Sequence, residues 1–220
     1  MSVKDKRSGP KLSRNHFHRR HAQCEAFWKR LESGDRPDTI DEAYALVSPG
    51  VCGLFETEAV GLWGALKDQQ IFSLVEVGRN LGGGLVFLCC ACPDVKLVRS
   101  IDLVAIPECD EPVAAWMRKQ GIRYSLEEMD SSEASAFGMV YDFVWIDGGH
   151  TGECVAHDIA IWKDHARLLG FHDFADKKHN AHKRCFQDVV DVIAAAEEQY
   201  GWQRIGKRGR SEIVFRTGIE

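Results

Sequence analysis

Four side chains able to bind protons or cations stand at the ends of two short apolar runs. Asp147 and His150 close Tyr141-Asp-Phe-Val-Trp-Ile-Asp-Gly-Gly-His150, and His172 with Asp173 follows Phe171. Carboxylates beside an imidazole make an oxygen-rich site for a hard cation such as Mg2+, and one histidine can remain as a general base near neutral pH. Short polar residues at such places also cap the next element, so both readings stand at this level. A third cluster, Glu76-Val-Gly78-Arg-Asn-Leu-Gly82-Gly-Gly84, follows the apolar run Phe72–Val77. Glycines there permit a tight turn and a close approach of backbone to a ligand. The spacing is not G-x-G-x-x-G, and no G-x-x-x-x-G-K-[ST] loop occurs in the chain, which disfavours dinucleotide and nucleoside-triphosphate sites.

Two further acidic residues fall at run ends. Asp102 closes Leu97–Asp102 about twenty residues beyond the glycines, where a carboxylate can accept both hydroxyl hydrogen bonds of a ribose. Asp130-Ser131-Ser132 follows the run Ile122–Leu126, at the place where an adenine would be met, and is equally a helix-capping sequence.

These residues need a frame that brings run ends together. From residue 69 onward, short apolar runs at Phe72–Val77, Leu97–Asp102, Ile122–Leu126, Asp142–Asp147 and Leu168–His172 alternate with helical patterns. The helices are expected after the glycine cluster and at Pro112–Lys119, Gly152–His165 and Lys183–Tyr200. That alternation predicts an α/β fold, a Rossmann-like doubly wound sheet, mainly parallel. Runs at Trp202–Ile205 and Glu212–Arg216 predict an antiparallel C-terminal hairpin. Helical patterns at Ala22–Leu31, Thr39–Val47 and Thr57–Lys67 read as an N-terminal helical cap. The expected organisation is a basic tail at 1–20, a cap at 21–68 and the α/β domain at 69–220.

Charge separates these parts. The 220 residues sum to −5, yet the first 30 hold nine Lys/Arg against two acids, leaving −12 for the remainder. A broad grip on a polyanion needs clustered positive charge, which only the basic arm offers. Eight cysteines without the paired C-x-x-C spacings of a structural zinc site, and no secretory signal pattern, favour a reducing cytoplasm. The longest apolar run, Leu85–Cys92, falls far short of the ~20 residues of a membrane span. Trp63 and Trp116 read as core, and His157, His179 and His182, with Lys177 and Lys178, as solvated loop or helix residues.

Taken in order, E-x-G-x-x-x-G at Glu76–Gly82, I-D-G-x-H at Ile146–His150 and H-D at His172-Asp173 resemble the class I S-adenosylmethionine-dependent methyltransferases. The likeness is to the small-molecule and sugar O-methyltransferase branch, over about residues 55 to 216. The resemblance implies that Glu76, Gly78 and Gly82 line the methionine end of the cofactor. Asp102 would hold its ribose, Asp130 and Ser131 would lie near its adenine, and Asp147 would border it. In metal-assisted relatives the strand-4 aspartate and an acidic pair after strand 5 hold a divalent ion. Those places are Asp147 and His172-Asp173, so Asp147 and Asp173 would be the ligands and His150 the catalytic base. The implied acceptor is a small hydroxylated molecule or sugar. RNA or another anionic polymer recruited by the basic arm, and a non-catalytic cofactor-binding or interaction module, are the alternatives. A homo-oligomer is left open, and no membrane partner is expected.

Overall fold

A computed structural model describes residues 19–47, 51, 53–174, 186–206 and 212–220. Among these, three helices precede the sheet. Helix α1 (His21–Ser33) buries Cys24, Phe27 and Leu31, one stripe at helical spacing. Helix α2 (Ile40–Val47) buries Ala43, Leu46 and Val47, and α3 (Glu56–Leu66) buries Ala59, Leu62, Ala65 and Leu66. Glu58 is also fully buried, and its Oε2 accepts the Phe55 N–H at 2.7 Å, closing the first turn of α3.

The sheet is built from β1 (Ser73–Val77), β2 (Leu97–Asp102), β3 (Arg123–Glu128), β4 (Tyr141–Ile146), β5 (Ala166–Phe171), β6 (Gln203–Ile205) and β7 (Ile213–Arg216). Helices α4 (Gly83–Ala91), α5 (Pro107–Lys119), α6 (Gly152–Trp162) and α7 (Gln187–Tyr200) connect them. The spatial order is β3-β2-β1-β4-β5-β7-β6. The first five strands are parallel, while β7 runs antiparallel to β5 and to β6. The doubly wound architecture and the antiparallel C-terminal strands therefore match expectation. Strands β1 and β4 are buried along almost their whole length because helices cover both sides of the sheet.

Helix α4 is apolar nearly all round, as a helix clamped between the sheet and the α2 and α3 layer must be. Its Cys89 and Cys90, with Cys92 just beyond, are buried. Burial pushes the Cys90 thiol up to about 12 and raises the other two, so all three act as small hydrophobes rather than nucleophiles. Trp116 is core as expected, whereas Trp63 is half-buried and leans on Phe87.

Helix α5 starts at Pro107, five residues earlier than the sequence suggests. Pro107 suits the first helical position, and Pro112 sits inside the helix rather than opening it. Strand β5 begins two residues earlier and stops at Phe171, which leaves His172 and Asp173 just past its end. The start expected for α7 at Lys183, the tail to residue 18, His179, His182, Lys177 and Lys178 lie outside the described residues. No helix among the described residues is long and apolar enough to cross a membrane.

Candidate active site

The order in which strands are added switches sides between β1 and β4: β2 and β3 lie to one side of β1, β4 and β5 to the other. The crevice beyond the carboxyl ends of strands at such a switch is where open α/β sheets take ligands. Gly78 makes that crossing possible. Its φ is +97°, and a Cβ there would lie 2.1 Å from the Asp147 carbonyl oxygen. Its N–H reaches Ile101 O at 2.8 Å, while the Asp147 N–H reaches Val77 O at 2.8 Å, stitching the β2, β1 and β4 ends together. Gly82, also left-handed, packs against Val113 of α5 and opens α4.

Glu76 points from β1 into this crevice floor and is 1% exposed. Its Oε2 accepts from the Ser100 hydroxyl at 2.8 Å, the residue paired with it across β1 and β2. Burial pushes its carboxyl up to about 8 despite the Ser100 bond and the nearby Arg79 guanidinium. Arg79, within the glycine turn, is buried in a two-pronged pair with Asp110, at 2.7 and 3.1 Å, and donates to Ser100 O at 3.1 Å. Asp102 accepts the Asn80 N–H at 2.7 Å and the Val104 N–H at 3.0 Å. It pins the turn in which Asn80 takes φ 49°, and each oxygen keeps a second lone pair for a hydroxyl donor. Asp130 accepts the Ser132 N–H at 3.0 Å and the Ser132 hydroxyl at 2.7 Å, so it caps the short 3-10 turn Ser131–Glu133.

The second half of the rim comes from β4 and β5. Oxygen and nitrogen atoms of Asp147, His150 and Asp173 lie within 4.8 Å of one another. His150 Nδ1 is hydrogen-bonded to Asp173 Oδ2, and its ring stacks on Phe186 at 5.3 Å. That bond raises the pKa of His150 above its ordinary value and holds the Asp173 carboxyl far below the usual carboxylate range. Asp173 itself takes φ 62°, a strained conformation for a residue with a side chain. His172 lies among three carboxylates: Nδ1 is 3.2 Å from Asp147 Oδ1 and 3.3 Å from Asp173 Oδ1, and Nε2 is 3.6 Å from Glu58 Oε2. Those charges outweigh its burial and push its pKa well above the ordinary value, so the ring is cationic at neutral pH.

Of the residues expected at the site, Glu76, Gly78, Gly82 and Asp102 lie on one half of the rim and Asp147, His150 and Asp173 on the other. Asp130 and Ser131 lie beyond β3. Sequence reading missed Ser100, Arg79, Asp110 and Glu58. Period-2 alternation would have put Ser100 beside Glu76 once β1 and β2 were paired, but Asp110 and Glu58 reach the site from helices with no local signal.

Residues 75–174 match a methyltransferase domain family. That match spans fewer than half of the chain's residues, and the strand order is that of the class I methyltransferase fold. Among solved structures, the chain resembles the SAH-bound methyltransferase PaMTH1 from Podospora anserina, at 12% identity and TM-score 0.56, covering 99% of both chains. It resembles the O-methyltransferase TomG from Streptomyces achromogenes, involved in tomaymycin synthesis and solved with SAM, at 13% identity and TM-score 0.50, covering 84% of this chain and 92% of that one. An O-methyltransferase family protein from Burkholderia thailandensis matches at 10% identity and TM-score 0.53, covering 96% of this chain and 63% of that one. At such identities the likeness is one of fold. No curated protein matches the sequence.

Proposed function

We propose that the chain transfers the methyl group of S-adenosylmethionine to a hydroxyl oxygen of a small molecule or sugar, with His150 as the general base. The observation that carries this reading is the His150–Asp173 pair. Asp173 holds Nδ1, which turns Nε2 of the half-exposed ring toward the open rim beside the cofactor crevice. The cofactor fits the floor by its chemistry: Glu76 is a buried carboxyl for a cationic group, and Gly78 lets the β1 and β4 ends close together beside it. When bound, it supplies a methyl carbon on a sulfonium. Nε2 would take the hydroxyl proton as the acceptor oxygen bonds to that carbon, and the bonding pair of the broken carbon–sulfur bond would stay on sulfur. Asp173 stabilises the resulting imidazolium and keeps the ring oriented. The −12 of the chain beyond residue 30 favours a small acceptor over nucleic acid.

A divalent ion would take Asp147, His150 and Asp173 as ligands. The Oδ1 atoms of both aspartates already face the His172 ring, a cation competing for the same oxygens, so none of these steps is routed through a metal. Replacing His150 by Ala should cut turnover about 10²- to 10⁴-fold while calorimetric affinity for the cofactor stays within about threefold. Full activity in that variant would remove His150 from the base role.

A further inference from the structure

Two buried cysteines differ from the three of the α4 segment. Cys24 and Cys109 stand in the first turns of α1 and α5, their N–H groups reaching Arg20 O at 2.9 Å and Ile106 O at 2.8 Å. The two helices pack on each other, and the thiols meet between them, hydrogen-bonded to one another. Both are free, belong to one core cluster and are at most 1% exposed. The bond from Cys109 and the Arg20 charge hold the Cys24 thiol below its ordinary value in spite of burial, whereas Cys89, Cys90 and Cys92 are raised by it. One residue further along α5, Asp110 holds Arg79 of the glycine turn at 2.7 and 3.1 Å, and Arg79 reaches Ser100, whose hydroxyl donates to Glu76. Val113 of the same helix packs against Gly82. The first turn of α5 therefore joins the thiol pair to the floor of the crevice.

We propose that Cys24 and Cys109 are a peroxide-sensitive thiol pair, which closes to a disulfide that ties α1 to α5 and loosens the crevice floor. The disulfide stands apart from the methyltransferase reading; its effect on the cofactor rests on that reading. The Cys24 thiolate attacks hydrogen peroxide: an S–O bond forms, the O–O bond breaks, and hydroxide leaves to take up the proton that Cys24 released. The Cys109 sulfur then attacks the Cys24 sulfenic acid. The S–S bond forms, the S–O bond breaks, and the oxygen departs as water with the Cys109 proton. Two thiols and one peroxide become one disulfide and two waters. Peroxide is small enough to reach the buried pair through local opening of α1, the first helix of the cap. A covalent bond in place of the hydrogen bond draws the first turns of α1 and α5 together, and Asp110 moves with Cys109, away from Arg79.

The test is treatment of the reduced full chain with hydrogen peroxide, followed by alkylation of the remaining thiols and peptide mass mapping. Calorimetric titration with S-adenosylhomocysteine is run before and after. The expected product is a Cys24–Cys109 cross-link in most molecules, reversed by dithiothreitol and formed while Cys89, Cys90 and Cys92 stay reduced. Affinity for S-adenosylhomocysteine should fall at least about fivefold on oxidation and return on reduction. In Cys24→Ser no cross-link forms, and peroxide should leave affinity within about twofold. Oxidation of either cysteine without a cross-link between them overturns the pair, as does an unreacted pair in a protein whose half-exposed Cys154 is oxidised. A cross-link that leaves affinity unchanged overturns the connection to the crevice floor. A reduced parent that does not bind S-adenosylhomocysteine defeats the cofactor reading, and the cross-link alone then decides the thiol pair.

Discussion

The two halves of the rim are made from different materials. On the β1–β2 half, backbone does the shaping: Gly78 and Gly82 take left-handed conformations, Asp102 pins the turn through two N–H groups, and Glu76, Ser100, Arg79 and Asp110 form a buried, connected network. On the β4–β5 half, Asp147, His150, His172, Asp173 and Glu58 form a dense cluster of charges, part of it open, held by side chains from two strand ends and a cap helix. The first half suits a ligand that is the same in every turnover. The second suits chemistry, where a proton must move and the acceptor must enter.

The sharpest way to break this contrast is to give the backbone half a side chain. Gly78→Ala puts a Cβ 2.1 Å from the Asp147 carbonyl at a φ of +97°. The β1 and β4 ends must then part, at a cost of at least about 3 kcal/mol. Loss of measurable cofactor binding and a melting temperature lowered by several degrees are expected, read by thermal denaturation and calorimetry. A Gly78→Ala protein with parental stability and affinity would show that the turn is not what shapes the crevice.

The next effect tests the buried carboxyl of the backbone half, Glu76. Glu76 has its folded-state pKa near 8, above the ordinary carboxylate value, so the apo protein binds a proton there that the unfolded chain releases. Its contribution to stability is therefore present at low pH and is lost as pH rises toward 8. Binding of a cationic cofactor group to the carboxylate must expel that proton. Affinity should therefore rise about tenfold per unit between pH 6 and 7.5 and flatten near 8. In Glu76→Gln the slope should vanish and affinity should be lower by about 10- to 100-fold at pH 8. An unchanged slope in that variant would remove Glu76 from the cofactor contact.

Legibility in the sequence divides along the same line. The order of apolar runs and helical patterns revealed the parallel sheet, and E-x-G-x-x-x-G marked the β1 turn, because a left-handed backbone and a buried strand leave local signatures. The boundary at Pro107 was missed because Pro112, equally suited by type to a first helical position, stands inside the helix. Asp147, His150 and Asp173 were visible as strand-end residues, but the placing of His172 among three carboxylates was not. That depends on Glu58, which belongs to α3, more than a hundred residues away in sequence. Glu58 looks locally like an ordinary third-position capping acid, and only the packing of α3 onto the sheet brings it to His172.

The smallest expected effect concerns that histidine and separates charge held by side chains from charge brought by an ion. His172 Nδ1 stands between the Oδ1 atoms of Asp147 and Asp173, and Nε2 faces Glu58, so the positive charge that would otherwise be needed among these carboxylates is already covalently present. Exhaustive chelation, read as turnover before and after treatment and after readdition of Mg2+ or Mn2+, should change the rate by less than about twofold. His172→Asn removes the cation and leaves three carboxylates crowded together. In that variant an added divalent ion should raise both the melting temperature and the rate, since a metal is the other means of neutralising such a cluster. A parent enzyme silenced by chelator and restored by a divalent ion would reverse the contrast, making the β4–β5 half a metal site in which His172 only orients the ligands.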